Sequence, residues 1–412
     1  MNIRITPTRL HGSVVVPSSK SIGHRDLICA ALAQGESVVE NISVSQDIEA
    51  TCRLLQAFGA SIEEIPSAYE GRTAYRVKGG LTKQGEALTV DCGESGSTLR
   101  FLIPIGLYSG NTVVYTGRGQ LVKRPLEPYY RIFDEHGVSY EPTEGGLPLT
   151  VEGCLQPGRY ALAGDVSSQF FTGLLVMLPL LDGDSVLEST TPLESLSYVT
   201  MTLDCMARHG VDVQWDGGRL FHIPGNQQYM AGTYTVEGDY SQAAFWLAAG
   251  TLGHPVECLG LRHSSSQGDE VIVSILQRMG AVIGQTDSIA AHPSQLTGQV
   301  IDVEDCPDLV PILAVAASCG QGTTHIIHGA RVRLKECDRL HAIATELNKI
   351  GGCVEEEPDG LIICGVGALT GGRVSGWNDH RIAMAAAVAS GACTGPVTIT
   401  GAQAVEKSYP TF

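Results

Sequence analysis

A helix-like segment, a glycine and a short strand recur five times along this chain, and the period of that pattern limits the folds open to it. The copies read LLQAFGASI, IFDEHGVSY, CMARHGVDV, ILQRMGAVI and ELNKIGGCV, pivoting on Gly59, Gly137, Gly210, Gly280 and Gly351. The spacings are 78, 73, 70 and 71 residues. Each glycine fits the left-handed cap that ends a helix before the chain turns into a strand. In the last copy Leu340, Ile343, Leu347 and Ile350 share one helical face, as an amphipathic helix requires. Such a period is too long for a solenoid repeat and corresponds to a whole supersecondary unit. Six units fill the 412 residues.

The sixth unit is short. After Gly351 only 61 residues remain, ending in DHRIAMAAAVASG and the strand PVTITG. The N-terminal strands NIRITP and SVVVP are expected to complete it, which makes one domain discontinuous. The expected division is residues 1–18 plus 236–412 for one domain and 19–235 for the other, each an α/β domain of three units. IPGNQQYMAGTYTVEG, rich in Gly and Gln, is the expected return crossing. The plain alternative is one large α/β sheet with coincidental spacing.

Charge narrows the ligand. Lys+Arg total 27 against 44 Asp+Glu, a formal charge of −17, with a pI near 5.1. A nucleic-acid binder carries a basic stripe and a high pI, so no nucleic-acid partner is expected. The positive charge is local instead. Lys20 and Arg25 lie at the start of SKSIGHRDLICAALAQG, Lys335 and Arg339 at the start of KECDRLHAIATELNKIGG, and Arg381 opens DHRIAMAAAVASG. A cation at a helix N-terminus costs on the order of 0.3–1 kcal/mol. That arrangement makes sense where an anion sits at the same place, held by free backbone N–H groups and side chains together.

The longest apolar run, Phe170 to Leu181, is broken by Gly173 and Pro179 and suits a buried helix rather than a membrane span. MNIRITPTRLHG alternates and does not read as a signal peptide. Twelve cysteines occur singly, without a CxxC pair, mostly in apolar stretches. Buried, reduced thiols in a cytoplasmic protein are expected, with no metal site.

Several segments can carry chemistry. In VPSSKSIGHR, Ser18 and Ser19 can cap a helix, and Ser21 and Arg25 fall one turn apart on one face. Ser95, Gly96, Ser97 and Thr98 in DCGESGSTLRF permit close backbone approach at a helix start. Ser167, Ser168 and Gln169 precede an apolar helix, and Asp308 heads another. Each also has an ordinary capping explanation. Lys335, Glu336, Asp338 and Arg339 crowd one helix start, which a solvated charge cluster explains less well. His380 can serve as a base, although capping or packing accounts for it equally.

Taken in order, PSSKSIGHR, ESGSTLR, KRPLEP, SSQF, VEGDYSQAAF, KECDRL, NDHR and EKSYP closely resemble the 5-enolpyruvylshikimate-3-phosphate (EPSP) synthase family of enolpyruvyl transferases, over nearly the whole chain. The resemblance implies two domains of three βαβαββ-type repeats each, an inside-out α/β barrel pair joined by a double crossover. It implies transfer of the enolpyruvyl group of phosphoenolpyruvate to the 5-hydroxyl of shikimate 3-phosphate, with release of phosphate, in aromatic amino-acid biosynthesis. By matched position, Lys20, Ser21, Arg25, Ser167, Ser168, Ser195, Tyr198, Asp308 and Lys335 would hold shikimate 3-phosphate. Gly96, Arg124, Gln169, Glu336, Arg339, Arg381 and Lys407 would surround phosphoenolpyruvate, with Lys20 touching both. Glu94 stands where Asn is common, and Arg331 where some members carry Asn.

The implied reaction needs an acid, a base and a dense cationic cradle, with no metal, cofactor or covalent nucleophile. Acid–base duty falls among Lys20, Asp308 and Glu336, without further division. Arginines at 124, 339 and 381 suit bidentate grip on carboxylate and phosphate. The partners expected are two small molecules acting on a monomer, with no membrane. The nearest rival is the UDP-N-acetylglucosamine enolpyruvyl transferase, which shares fold and donor but typically carries a reactive Cys in a loop where this chain has GRGQLVKRP. A non-catalytic binder of phosphorylated metabolites is the reading from another class.

Overall fold

The computed structural model describes all residues except 9, 82–86 and 144–145. The chain divides into a continuous unit, Ser18–Val236, and a discontinuous one, Met1–Pro17 with Glu237–Phe412. It leaves one unit between Pro17 and Ser18 and returns between Val236 and Glu237.

The continuous unit holds helices α1 (Lys20–Leu32), α2 (Gln46–Ala57), α3 (Gly96–Tyr108), α4 (Glu127–His136), α5 (Ser168–Met177) and α6 (Leu196–Arg208). They alternate with three four-stranded sheets. In the second sheet Leu88–Asp91 pairs parallel with Val113–Thr116, which pairs antiparallel with Leu149–Glu152, itself paired with Ser139–Pro142. The third sheet repeats that order with Arg159–Leu162, Ser185–Ser189, Leu220–Ile223 and Gln214–Trp215. In the first sheet the parallel partner of Glu36–Ile42 is Thr233–Thr235, from the far end of the unit. One unit is therefore strand, helix, strand, helix and hairpin, with the parallel pair bridged by a helix as parallel strands demand.

The discontinuous unit carries α7 (Tyr240–Leu252), α8 (Ile272–Arg278), α9 (Val310–Ser318), α10 (Arg339–Lys349) and α11 (His380–Gly391). The sheet built on Val300–Asp302, Thr323–Ile327, Gly360–Cys364 and Cys353–Glu357 repeats the same order. The two N-terminal strands part company. Asn2–Ile5 pairs with Val397–Thr400 and completes the last sheet. Gly12–Val15 pairs instead with Val256–Leu259, in the sheet that follows α7. The expectation that both strands complete the sixth unit is thus corrected. The sixth sheet has three strands, and the second N-terminal strand supplies the parallel edge that the fourth unit lacks, because α7 follows directly on the crossing.

Helices alternate in character. α1, α3, α5, α7, α9 and α11 are buried on almost every side, whereas α2, α4, α6 and α10 each keep a polar face in solvent. A helix apolar all round belongs inside a domain. α7, α9 and α11 pack on one another, and α3 packs on α5. All five pivot glycines have positive φ, between 67° and 109°, a region open to glycine at no steric cost. Leu340, Ile343, Leu347 and Ile350 are all buried.

No helix among the described residues is long and apolar enough to cross a membrane. The thiols are free, and most are buried. Cys154, Cys353 and Cys364 depart from the expectation of burial: the last two sit on the solvent side of an outer hairpin.

Candidate functional site

Several of the buried helices begin at or beside residues singled out in the sequence. In the continuous unit Ser19 caps α1, its hydroxyl accepting from Ile22 N, so Lys20 is the first helical residue. Ser18 does not cap; it exchanges hydrogen bonds with Ser43, at 2.9 and 2.7 Å. Lys20 Nζ reaches Asp47 Oδ2 at 2.7 Å, with both side chains mostly shielded. One turn on, Arg25 is buried and donates to Thr202 Oγ1 (2.9 Å), Thr172 Oγ1 (3.3 Å) and the carbonyls of Ser21 (2.7 Å) and Tyr198 (3.0 Å). Its guanidinium also lies over Phe101. Burial, with Lys20 and Arg25 nearby, holds His24 well below its ordinary range, hence neutral, against Thr51.

Ser95 caps α3 by accepting from Thr98 N. Gly96 follows, and the reason for glycine is visible. A Cβ there would lie 2.5 Å from an Arg124 terminal nitrogen and 3.4 Å from Gln169 Oε1. Gln169 itself accepts from Arg100 (2.9 Å) and donates to Ser97 (3.0 Å). Ser167 caps α5, with Ser168 as its first residue. Ser195 precedes α6 in a left-handed conformation, φ 54°, and its carbonyl accepts from Tyr198 N. Thus Gly96, Arg124 and Gln169 form one group, and Arg25 and Tyr198 another. Glu94 turns its carboxylate toward Gly119, 2.5 Å from where a Cβ would stand.

The discontinuous unit gathers charge around Asp308, in the one-turn segment Pro307–Leu309 that leads into α9. Asp308 Oδ2 accepts from Arg381 and Oδ1 from Arg339, each at 2.8 Å, with Lys335 Nζ at 3.5 Å. Arg339 also donates to Glu336 at 2.5 Å and to Asp379 at 2.8 Å. Burial works against the Asp308 carboxylate, but Arg381, Lys335 and Arg339 outweigh it and hold the carboxyl well below its usual range. Desolvation lowers Lys335. Asp269, buried close by, is pushed up to about 7 by desolvation and by Asp308.

Lys335 does not open a helix as its motif suggests. The Ala330–Leu334 turn ends before it, and α10 starts at Arg339 with Asp338 as its cap. Arg333 explains the interruption: it grips Asp338, Glu356 and the carbonyls of Pro358 and Glu357, pinning the turn to the neighbouring hairpin. Arg331 donates to the Glu304 carbonyl at 3.3 Å. Lys407 Nζ donates to the Asn378 carbonyl at 2.7 Å. Outside this cluster, Asp302, Glu304 and His328 bring ligand-type atoms within 4.8 Å of one another in a mostly exposed group.

Two acids escaped the sequence reading. Asp379 caps α11 through Arg381 N and accepts from Arg339, and an Asp directly before an apolar helix is the signal that could have found it. Asp47, the partner of Lys20, lies inside the first turn of α2, where an acid is ordinary. Of the cations at helix starts, Lys20, Arg339 and Arg381 are therefore matched here by carboxylates of the protein, whereas Arg25 is held by hydroxyls and backbone carbonyls.

Serines and glycine at helix starts in the continuous unit, and Arg, Lys and carboxylates around Asp308 in the discontinuous one, are chemistry suited to small, multiply charged anions. The family model described as EPSP synthase (3-phosphoshikimate 1-carboxyvinyltransferase) matches residues 5–412. The chain belongs to that family. It is 50% identical over 411 residues to the 3-phosphoshikimate 1-carboxyvinyltransferase of Clostridium kluyveri, covering 100% of this chain and 95% of the relative. The Clostridium novyi protein of the same name is 49% identical over 415 residues, with the same coverage. A solved structure of EPSP synthase from Acinetobacter baumannii aligns with a TM-score of 0.82 at 26% identity, covering 100% of this chain and 96% of that one.

Proposed function

We propose that this chain is a 3-phosphoshikimate 1-carboxyvinyltransferase, moving the enolpyruvyl group of phosphoenolpyruvate to the 5-hydroxyl of shikimate 3-phosphate and releasing phosphate. The observation that carries the reading is the match of the entire chain, at about half identity, to relatives of that name. The two units follow the family's arrangement of three repeats each, an inside-out α/β barrel entered and left by a double crossover. Met1–Pro17 with Glu237–Phe412 make one domain and Ser18–Val236 the other. The substrates are two small anions, and the chain works as a cytoplasmic monomer.

Residue roles follow from charge and position. Lys20, Ser21, Arg25, Ser167, Ser168, Ser195, Tyr198, Asp308 and Lys335 bind shikimate 3-phosphate. Gly96, Arg124 and Gln169, with Glu336, Arg339, Arg381 and Lys407, bind phosphoenolpyruvate. In the reaction an acid protonates the methylene carbon of phosphoenolpyruvate while a base takes the proton of the attacking hydroxyl. The resulting tetrahedral adduct then returns a proton from that carbon and expels phosphate.

Asp308 suits the base. While Arg381, Lys335 and Arg339 are turned toward it, its carboxylate is too stabilised to accept a proton. An anionic substrate competes for those same cations, weakens their hold and raises the carboxyl toward a useful range. Glu336 and Lys20 share the remaining proton transfers. The test is a phosphate-release assay: turnover requires both substrates together. Turnover with UDP-N-acetylglucosamine in place of shikimate 3-phosphate would transfer the assignment to the rival enolpyruvyl transferase, and absence of turnover with either acceptor would leave a binding protein.

A further inference from the structure

Cys353 and Cys364 lie directly opposite each other in the antiparallel pair Cys353–Glu357 and Gly360–Cys364. Opposed residues of such a pair point to the same face and hold their Cα atoms roughly 4.5–5.5 Å apart. A disulfide needs about 4.4–6.8 Å. Both residues are exposed, and Val354 and Ile363, on the opposite face of the strands, are buried. The two thiols therefore share the solvent side of the sheet, at the strand spacing a disulfide can span. Neither belongs to the charge cluster around Asp308.

We propose that Cys353 and Cys364 form a reversible thiol–disulfide exchange site for low-molecular-weight disulfides. Hydrogen bonding with Cys364 holds the Cys353 thiol above its ordinary range, which makes Cys353 the second sulfur to react and Cys364 the one that opens the exchange. It attacks one sulfur of the disulfide RSSR, forming a mixed disulfide and releasing one thiolate RS−. Cys353, giving up its proton, then attacks the Cys364 sulfur and expels the second RS−. The protein loses two electrons and two protons, and RSSR leaves as two molecules of RSH. The product crosslinks neighbouring strands and takes both exposed thiols out of reach of irreversible over-oxidation. Glu356, which holds Arg333, is on the opposite face from Cys353, so the crosslink forms without displacing that contact.

Cys154 supplies an internal control. It is exposed, in the other unit, and is paired with no other cysteine. The full chain, fully reduced, is incubated with 2-hydroxyethyl disulfide, an uncharged probe that Glu355 and Glu357 do not repel. Intact mass and non-reducing peptide mapping are then read. The expected product is a crosslink between the Cys353 and Cys364 peptides, reversed by dithiothreitol, while Cys154 carries at most a single mixed disulfide. In Cys353→Ser the exchange stops halfway and Cys364 retains the hydroxyethylthio cap. Separate caps on Cys353 and Cys364 without a crosslink, or two unmodified thiols, would overturn the proposal. The Cys353→Ser substitution is at an exposed position outside the core, so a folding failure does not mask the result.

Discussion

Asp379 holds Arg339 and the start of α11 at the same time. One carboxylate oxygen accepts from Arg339 Nε at 2.8 Å, the other from Arg381 N at 2.8 Å, and both side chains are almost wholly buried. The first residue of α10 is thereby tied to the cap of α11, and the two arginines that flank Asp308 share one anchor. Burial would lower Arg339, yet Asp379, Glu336 and Asp308 together raise it well above its ordinary value.

That geometry makes Asp379 a position where stability and activity fall together. Asp379→Ala leaves a buried guanidinium without its main counter-charge and a helix without its cap, and should cost roughly 3–5 kcal/mol. Asp379→Asn keeps a capping acceptor and should lose less stability, while still releasing Arg339 and depressing turnover. Urea denaturation of both variants checks the order. An Ala variant as stable as the parent would show that the pair contributes nothing.

Gly96 is a second sensitive position, for a steric reason. A methyl group there meets Arg124 at 2.5 Å, so the arginine must swing aside. Gly96→Ala should keep the fold and raise the KM for phosphoenolpyruvate by about 10-fold or more, the effect of losing one oriented charged contact. The KM for shikimate 3-phosphate should change far less. Equal changes in both constants would argue for a general distortion of α3 instead.

What the sequence disclosed was set by which interactions are local. The pivot glycines at 59, 137, 210, 280 and 351 answer to helix-end geometry within a few residues, so the repeat could be read directly. So could the crowding of Lys20, Arg25, Arg339 and Arg381 near helix starts. Their partners could not. Asp47 is 27 residues from Lys20, and Asp308 is 73 from Arg381; no periodicity links such pairs, and only the stacking of repeats brings them together. The same limit explains Gly12–Val15, whose strand pattern is plain but whose sheet is chosen by a partner more than 200 residues away. Nothing local sets Arg333 apart from the basic residues around it, although its grip on Asp338 fixes where α10 begins.

Asp269 should impose a pH dependence on stability. Its folded-state value, about 7, exceeds its reference of 3.8 because of desolvation and Asp308, with Asp239 adding and Arg381 and Lys335 opposing. A raised folded value means that the folded state binds the extra proton. The stabilisation is complete below about pH 4 and is lost as pH rises toward 7. Asp269→Asn, which mimics the protonated form, should therefore gain in melting temperature relative to the parent as pH increases from 5 to 8, and should level off above that. A difference between the two proteins that does not vary with pH would mean that Asp269 is ionised throughout.

Lys20 offers the sharpest separation of function from fold. It is the first residue of α1, where the helix dipole disfavours a cation, and its ion pair with Asp47, at 2.7 Å, is partly open to solvent. A pair of that kind contributes about 1 kcal/mol or less, so Lys20→Met should melt within a few degrees of the parent. Turnover should nevertheless fall by at least about 100-fold, the scale of a lost acid or base, because the ammonium is assigned to both substrates. Asp47→Asn distinguishes the ammonium from the pair: it keeps Lys20 charged and only loosens its tether, so kcat should drop far less than in Lys20→Met. A folded Lys20→Met protein that turns over at the parental rate would remove Lys20 from the catalytic set and leave the proton transfers to Asp308 and Glu336.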